Sequence, residues 1–258
     1  MAVREILVIG IGPGDPDQIT VAAVAALNRV DVFFVVDKGA AKSGLLDVRD
    51  EILRRHVRDQ DRFRVVEIAD PPRERRPDGA DAYTGVVADW HAARADRFAD
   101  AIAGELAEDG VGAFLVWGDP ALYDSTLRVI DRILAGGRVE FGYSVIAGVT
   151  SVHALTAAHR IPLNRIGEPI HVTPARRIAD GLPDGLDSAV VMLDQGFTAA
   201  ALDPDLEVFW GAYLSTPDEV LIAGRLGDVA AEITRRRAEL REQHGWIMDT
   251  YLLRRPTP

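Results

Sequence analysis

The chain of 258 residues contains no cysteine. Disulfides, thiol nucleophiles and thiolate metal sites are excluded, although this absence alone says little about compartment. Basic residues are also short: 29 Lys and Arg stand against 40 Asp and Glu, for a formal net charge of −11. Phosphate contacts supply most nonspecific nucleic-acid affinity and need a basic face, so the charge balance argues against a nucleic-acid binder. No apolar run approaches the roughly 18 residues that span a bilayer. Met1-Ala2-Val3-Arg4-Glu5 leads straight into a strand pattern, without the pattern of a secretory leader. The expectation is a cytoplasmic protein with no membrane partner. None of the 6 histidines has H-x-x-x-H or H-E-x-x-H spacing, so no metal site is expected.

What the chain does have is 48% hydrophobic residues, enough for a folded protein of one large or two modest domains. Two glycine-rich turns each follow a short apolar run: Gly10-Ile11-Gly12-Pro13-Gly14-Asp15-Pro16 and Trp117-Gly118-Asp119-Pro120. In open α/β sheets ligands collect outside the carboxyl ends of the strands, where glycine lets backbone approach closely. A dinucleotide fingerprint fails because Asp15 stands where a third glycine is required. Its charge would repel pyrophosphate, and Pro13 removes an N–H. No Gly-Lys-Ser or Gly-Lys-Thr follows either turn, which excludes a phosphate P-loop. The expected ligand is not anchored by phosphate.

Periodicity predicts alternating strands and helices through the first half. Strands are expected at Glu5 to Ile9, Val32 to Val36, Arg64 to Ile68, Gly112 to Trp117 and Val139 to Ile146. The helices between them are Ile19 to Leu27, Leu45 to Val57, Tyr83 to Glu108 and Leu122 to Leu134, and a further one runs from Val152 to His159. This alternation indicates a mostly parallel sheet covered on both faces. Beyond it the elements shorten: strands at Ile170 to Thr173, Ala189 to Leu193, Glu207 to Leu214, Val220 to Ala223 and Ile247 to Leu253, with a helix at Val229 to Gln243. The second half reads as mixed α/β, and the expected domains are 1–147 and 148–258. Asp70 to Asp81 is a long aperiodic segment whose arginines are balanced by acidic residues. Arg235-Arg236-Arg237 reads as the solvated face of an amphipathic helix.

Three motifs in order, Gly12-Pro13-Gly14-Asp15-Pro16, Gly118-Asp119-Pro120-Ala121-Leu122-Tyr123 and Gly148-Val149-Thr150-Ser151, resemble those of the tetrapyrrole methylases. The resemblance covers essentially the whole chain. It implies the class III methyltransferase fold, with two α/β domains and S-adenosylmethionine in a cleft between them. It also implies a homodimer and a tetrapyrrole substrate. Phe33-Phe34-Val35-Val36-Asp37-Lys38-Gly39 and the Tyr83 to Arg97 helix with Trp90-His91 are similar to members that methylate C-1 of a corrin precursor with loss of acetate. A methylase of another corrin carbon, or a diphthine synthase acting on a protein-bound histidine, shares the three motifs. A noncatalytic binding protein would not need cofactor-facing turns in two domains.

The resemblance implies cofactor contacts at Pro13, Gly118, Asp119, Tyr123, Thr150 and Ser151, with looser matches at Gln195, Leu214, Ile247 and Met248. Gln195 departs from the family, where methionine is frequent. Asp119 suits the cofactor's amino group, yet Asp before Pro also suits a turn with a helix cap. Thr150 shares that ambiguity. Deacetylation calls for a general base, for which Asp119, Tyr123, His91 and Asp37 qualify by residue type. A substrate rich in carboxylates asks an acidic protein for a local basic rim. Lys38, Lys42, Arg73, Arg75, Arg76, Arg94 and Arg97 are the candidates.

Overall fold

The computed structural model describes residues 3–37, 43–71 and 80–256. The chain forms two compact units: one of Met1–Gly12 with Pro16–Val149, the other of Pro13–Asp15 with Thr150–Pro258.

The first unit is a five-stranded sheet of β1 (Arg4–Gly10), β2 (Val32–Asp37), β3 (Arg64–Ala69), β4 (Val111–Val116) and β5 (Phe141–Ile146), in the order β3-β2-β4-β1-β5. Every pairing is parallel. All five strands therefore end on one edge, where the glycine turns lie. The connecting helices are α1 (Val21–Leu27), α2 (Ser43–His56), α3 (Ala80–Glu105) and α4 (Thr126–Gly136). Alternate residues of β1 point to opposite faces. Ile6 and Val8 pack with Phe98 and Ile102 of α3 and Ile130 and Ile133 of α4. Leu7 and Ile9 pack with Ala23 and Leu27 of α1 and Ile52 and Leu53 of α2. The near-continuous apolar run of β1 thus serves two cores, as in parallel sheets covered on both sides.

The second unit holds α5 (Ser151–His159), β6 (Ile170–Pro174), β7 (Ser188–Met192), β8 (Glu207–Ala212), β9 (Val220–Arg225), α6 (Leu226–His244) and β10 (Asp249–Arg254). Its sheet order is β6-β7-β10-β8-β9. β6 and β7 are parallel, whereas β10 runs antiparallel to both β7 and β8, and β8 to β9. The carboxyl ends of β7 and β8 and the start of β10 consequently share one sheet edge. Trp210 and Tyr251, both 0% exposed, centre a core closed by Ile233 and Leu240 of α6.

The elements expected from periodicity are present, with shifted ends. The helix expected over Leu122 to Leu134 begins only at Thr126. Before it, Tyr123 takes a positive φ of 53° and the Asp124 carboxylate accepts from Thr126 N at 2.6 Å, a turn that delays the helix. The last strand starts at Asp249 rather than Ile247. Most of the Asp70 to Asp81 segment lies outside the described residues; α3 begins within it, at Ala80. Among the described residues no helix is long and apolar enough to cross a membrane.

Candidate functional site

In the first unit the glycines of the three sequence motifs, Gly10, Gly12, Gly118 and Gly148, meet at the carboxyl ends of β1, β4 and β5. Gly12 and Gly118 pair as an isolated antiparallel bridge, with Gly118 N donating to Gly12 O at 2.8 Å and Gly12 N to Gly118 O at 3.2 Å. A Cβ on Gly148 would fall 2.1 Å from Gly118 O, and one on Gly10 would fall 2.6 Å from Gly148 N. Glycine is required at these positions because the backbones approach one another. This is a different reason from close approach to a ligand, although the two are compatible.

Asp119 is the clip of this junction. One carboxylate oxygen accepts from Ala121 N at 2.8 Å and the other from Gly148 N at 2.8 Å. The first bond is the turn that the Asp-Pro pattern suggests; the second ties the second motif to the third. Tyr123, 42% exposed with φ of 53°, stands on the loop that Asp119 opens. A large, exposed aromatic held in the left-handed region is a strained feature of the kind that collects at functional sites.

Beneath this loop lies Arg94 of α3, only 6% exposed. Its guanidinium pairs with Asp70 at 3.2 Å, donates to Ser125 Oγ at 2.9 Å and lies 4.6 Å from the Trp90 ring centroid. Burial lowers its pKa, opposed by Asp70 and Asp124. Ser125 sits at the N-cap of α4 without a side-chain capping bond. Its hydroxyl serves Arg94 instead, which places Arg94 under the loop rather than on a rim. Arg97 is exposed and donates to Ala69 O at 2.6 Å. His91 is half-buried beside Trp90, with ring centroids 5.1 Å apart. Lys38, Lys42, Arg73, Arg75 and Arg76 lie outside the described residues, as does the side chain of Asp37 at the end of β2.

The second unit gathers the remaining candidates. Pro13–Asp15 belongs to it, and a Cβ on Gly14 would lie 2.8 Å from Leu214 O and 2.5 Å from Thr216 Cγ2. Gly14 is thereby seated on the loop after β8. Tyr213 N donates to Met248 O at 2.9 Å, joining that loop to the start of β10. Leu214 is 4% exposed, and Ile247 and Met248 are partly buried against the core. Gln195 is exposed in the loop after β7. Pro13, Leu214, Met248 and Gln195 therefore share the sheet edge where β7 and β8 end. Thr150 caps α5, accepting from His153 N at 3.3 Å, and its hydroxyl lies 2.7 Å from His153 Nδ1. Ser151 is the first residue of that helix.

Two features escaped the sequence reading. The Thr150–His153 pair follows a T-x-x-H spacing at a helix start, a local signal that could have been found. Arg235-Arg236-Arg237 is not one solvated face: Arg237 is 7% exposed. Arg235 and Arg236 pair with Glu239 at the surface, while Arg237 turns inward to Asp249 at 2.6 Å. The reason is helical phase: Ile233, Arg237 and Leu240 occupy one buried stripe of α6.

A family model described as Tetrapyrrole (Corrin/Porphyrin) Methylases matches residues 5–230. The chain is 49% identical over 254 residues to a Sinorhizobium protein named precorrin-6A synthase (deacetylating), covering 98% of this chain and 95% of that one. A solved structure of a cobalamin synthesis related protein, CobF, from Corynebacterium diphtheriae matches with a TM-score of 0.84 at 37% identity, covering 98% of this chain and 99% of that one. The uroporphyrin-III C-methyltransferase of Thermus thermophilus, solved with S-adenosylhomocysteine, matches with a TM-score of 0.59 at 18% identity over 96% of each chain, a likeness of fold. The glycine junction and these matches lead to one assignment: the chain belongs to the tetrapyrrole (corrin/porphyrin) methylases.

Proposed function

We propose that this chain is an S-adenosylmethionine-dependent C-methyltransferase of cobalamin biosynthesis. It would methylate C-1 of precorrin-5 with loss of acetate to give precorrin-6A. The observation that carries the reading is the 49% identity to precorrin-6A synthase across nearly the full length of both chains. A methylase of another corrin carbon would share the motifs but not that extent of identity. A diphthine synthase has no specific observation in its favour.

The donor set fits a sulfonium cofactor. The junction offers backbone carbonyls and the Asp119 carboxylate, and neither glycine turn carries the lysine of a phosphate-binding loop. S-adenosylmethionine supplies an electrophilic methyl group when bound. The chain's work is positioning, because an in-line transfer rewards alignment of the reacting atoms. Gly118, Asp119 and Tyr123 are assigned to the methionine end, and Thr150 and Ser151 are assigned to the cofactor by their match to the third motif. Pro13, Gln195, Leu214, Ile247 and Met248 are assigned to the remainder. Asp119 acts first as the clip that fixes the junction.

Loss of acetate requires water to add at the acyl carbon, with a base to take its proton. Tyr123, His91 and Asp37 remain candidates with Asp119, and the exposed His153 beside Thr150 joins them. Lys38, Lys42, Arg73, Arg75, Arg76 and Arg97 are the proposed cationic rim for substrate carboxylates, whereas Arg94 is assigned to supporting the 119–125 loop. The family resemblance supports a homodimer, and the sequence pattern is the ground for proposing a cytoplasmic protein with domains at 1–147 and 148–258. Mass spectrometry of the product formed from precorrin-5 and S-adenosylmethionine tests the function. A corrin one methyl heavier and one acetyl lighter is expected; unaltered precorrin-5 in the presence of folded enzyme overturns the reading.

A further inference from the structure

We propose that Arg49 and Trp117 form a carboxylate-binding subsite at the carboxyl edge of the first sheet, one that takes an acidic side arm of the tetrapyrrole substrate. This rests on the substrate reading above. Arg49 stands one helical turn before Ile52 and Leu53, which are 0% and 5% exposed, so it occupies the buried stripe of α2 where an apolar residue is expected. Among the described residues it has no ion-pair partner. Its Nη2 donates to Leu115 O at 3.4 Å, the limit of a hydrogen bond, and its buried Nε has no partner. Burial lowers the Arg49 pKa, opposed by Asp124 and Asp50. The Asp124 carboxylate is itself engaged by Thr126 N, and its charge also acts on Arg94.

Trp117 lies two residues beyond Leu115, against the same core as Val48, Ile52 and Leu53. Its Nε1 is buried and also lacks a partner. Both unanswered donors are thus on the α2 side of the end of β4, the edge where open α/β sheets bind ligands. Arg94 on α3 provides the contrast, since Asp70 and Ser125 answer its guanidinium. A buried charge without a counter-ion and an indole N–H without an acceptor both weaken the fold. Residues retained against stability are expected where they serve a ligand. The chemistry of that ligand follows from the donors: a guanidinium fork and an indole N–H, with no acceptor between them, select a planar anion with two oxygens. A substrate rich in carboxylates supplies that group.

The test uses the full chain with precorrin-5 and S-adenosylmethionine, together with thermal melting and calorimetric titration of S-adenosylhomocysteine. Arg49→Met removes the buried charge while keeping an apolar stem, so the melting temperature should hold or rise. The KM for precorrin-5 should rise about tenfold with kcat within about twofold, the pattern of a lost binding contact that does not change in the transition state. Arg49→Lys keeps the charge but not the fork and should restore only part of the KM. Trp117→Phe removes the N–H alone and should raise KM about threefold. A wild-type KM in Arg49→Met overturns the inference, whatever the melting temperature does. Weakened S-adenosylhomocysteine binding in that variant would give the carboxylate to the cofactor and overturn the assignment to substrate. A wild type that leaves precorrin-5 unaltered overturns the functional reading, and this inference with it. If Arg49→Met fails to fold, the other two variants decide: unchanged KM in both sinks the inference and a raised KM in either sustains it.

Discussion

The Asp119 carboxylate accepts the backbone N–H of Gly148 at 2.8 Å, stapling the turn after β4 to the turn after β5. This bond, with the Gly12–Gly118 bridge, makes one rigid junction from motifs that are far apart in sequence. A buried or half-buried acceptor removed from such a donor leaves the N–H unsatisfied, at about 1–3 kcal/mol. Asp119→Ala should therefore destabilise the first unit by about 2 kcal/mol, measured by urea unfolding. An unchanged unfolding midpoint would contradict the clip.

The glycine junction predicts a contrast between neighbouring positions. A methyl on Gly148 would meet Gly118 O at 2.1 Å, a backbone atom that cannot swing aside, whereas one on Gly142 meets nothing within 4 Å. Gly148→Ala should cost about 3 kcal/mol or more. Gly142→Ala should be neutral or stabilise by about 0.5 kcal/mol. Paired melting curves check this, and equal behaviour of the two variants would refute the close-packed junction.

Arg94 and Arg97 lie three residues apart on α3 and should respond differently. Arg94→Met leaves Asp70 without its guanidinium and Ser125 without its donor. Breaking a fully buried pair costs about 3–5 kcal/mol, and Asp70, whose side chain is 22% exposed, reduces this to about 2 kcal/mol. Arg97→Met should change stability by less than about 0.5 kcal/mol. Turnover separates their functional roles: the Arg97 variant should raise the KM for the corrin substrate at unchanged cofactor affinity, and an unchanged KM would remove Arg97 from the rim.

Asp194 predicts a pH dependence. Burial opposes its ionisation, but the bonds from Tyr251, Gly196 and Thr198 outweigh burial and hold its pKa below the ordinary value. The unfolded aspartate, near pH ~3.9, takes its proton first as pH falls. Its contribution to stability is therefore full above about pH 4 and is lost as pH drops through the lower folded value. Asp194→Asn should melt below the wild type at pH 7, with the gap narrowing as the pH falls below the ordinary aspartate range. A gap independent of pH would exclude an ionised Asp194 as the stabilising species.

Much of the fold was legible because it is written in local patterns. The β-branched runs Glu5 to Ile9 and Val32 to Val36, each followed by a helical stretch, specify a parallel sheet through burial on both faces. The three glycine motifs were legible as a set, but the contact of Gly10, Gly118 and Gly148 with one another was not, since glycine signals only that something comes close. Gly14 packs on Leu214, far along the chain, and no local pattern encodes that partner. Arg237 was misread for a related reason: three consecutive arginines suggest a solvated face, and only the phase set by Ile233 and Leu240 turns one of them inward. Asp194 gave no signal because its partners, Tyr251 and Arg237, come from separate elements.

Calorimetric titration with S-adenosylhomocysteine of the wild-type chain and of Asp119→Asn tests the central claim most directly, that the glycine junction holds a sulfonium cofactor. The account predicts one saturable micromolar site per wild-type chain, weakened at least about tenfold, ~1.4 kcal/mol, in the variant. A folded wild type that gives no saturable heat, or a variant that binds as tightly as the wild type, would contradict it.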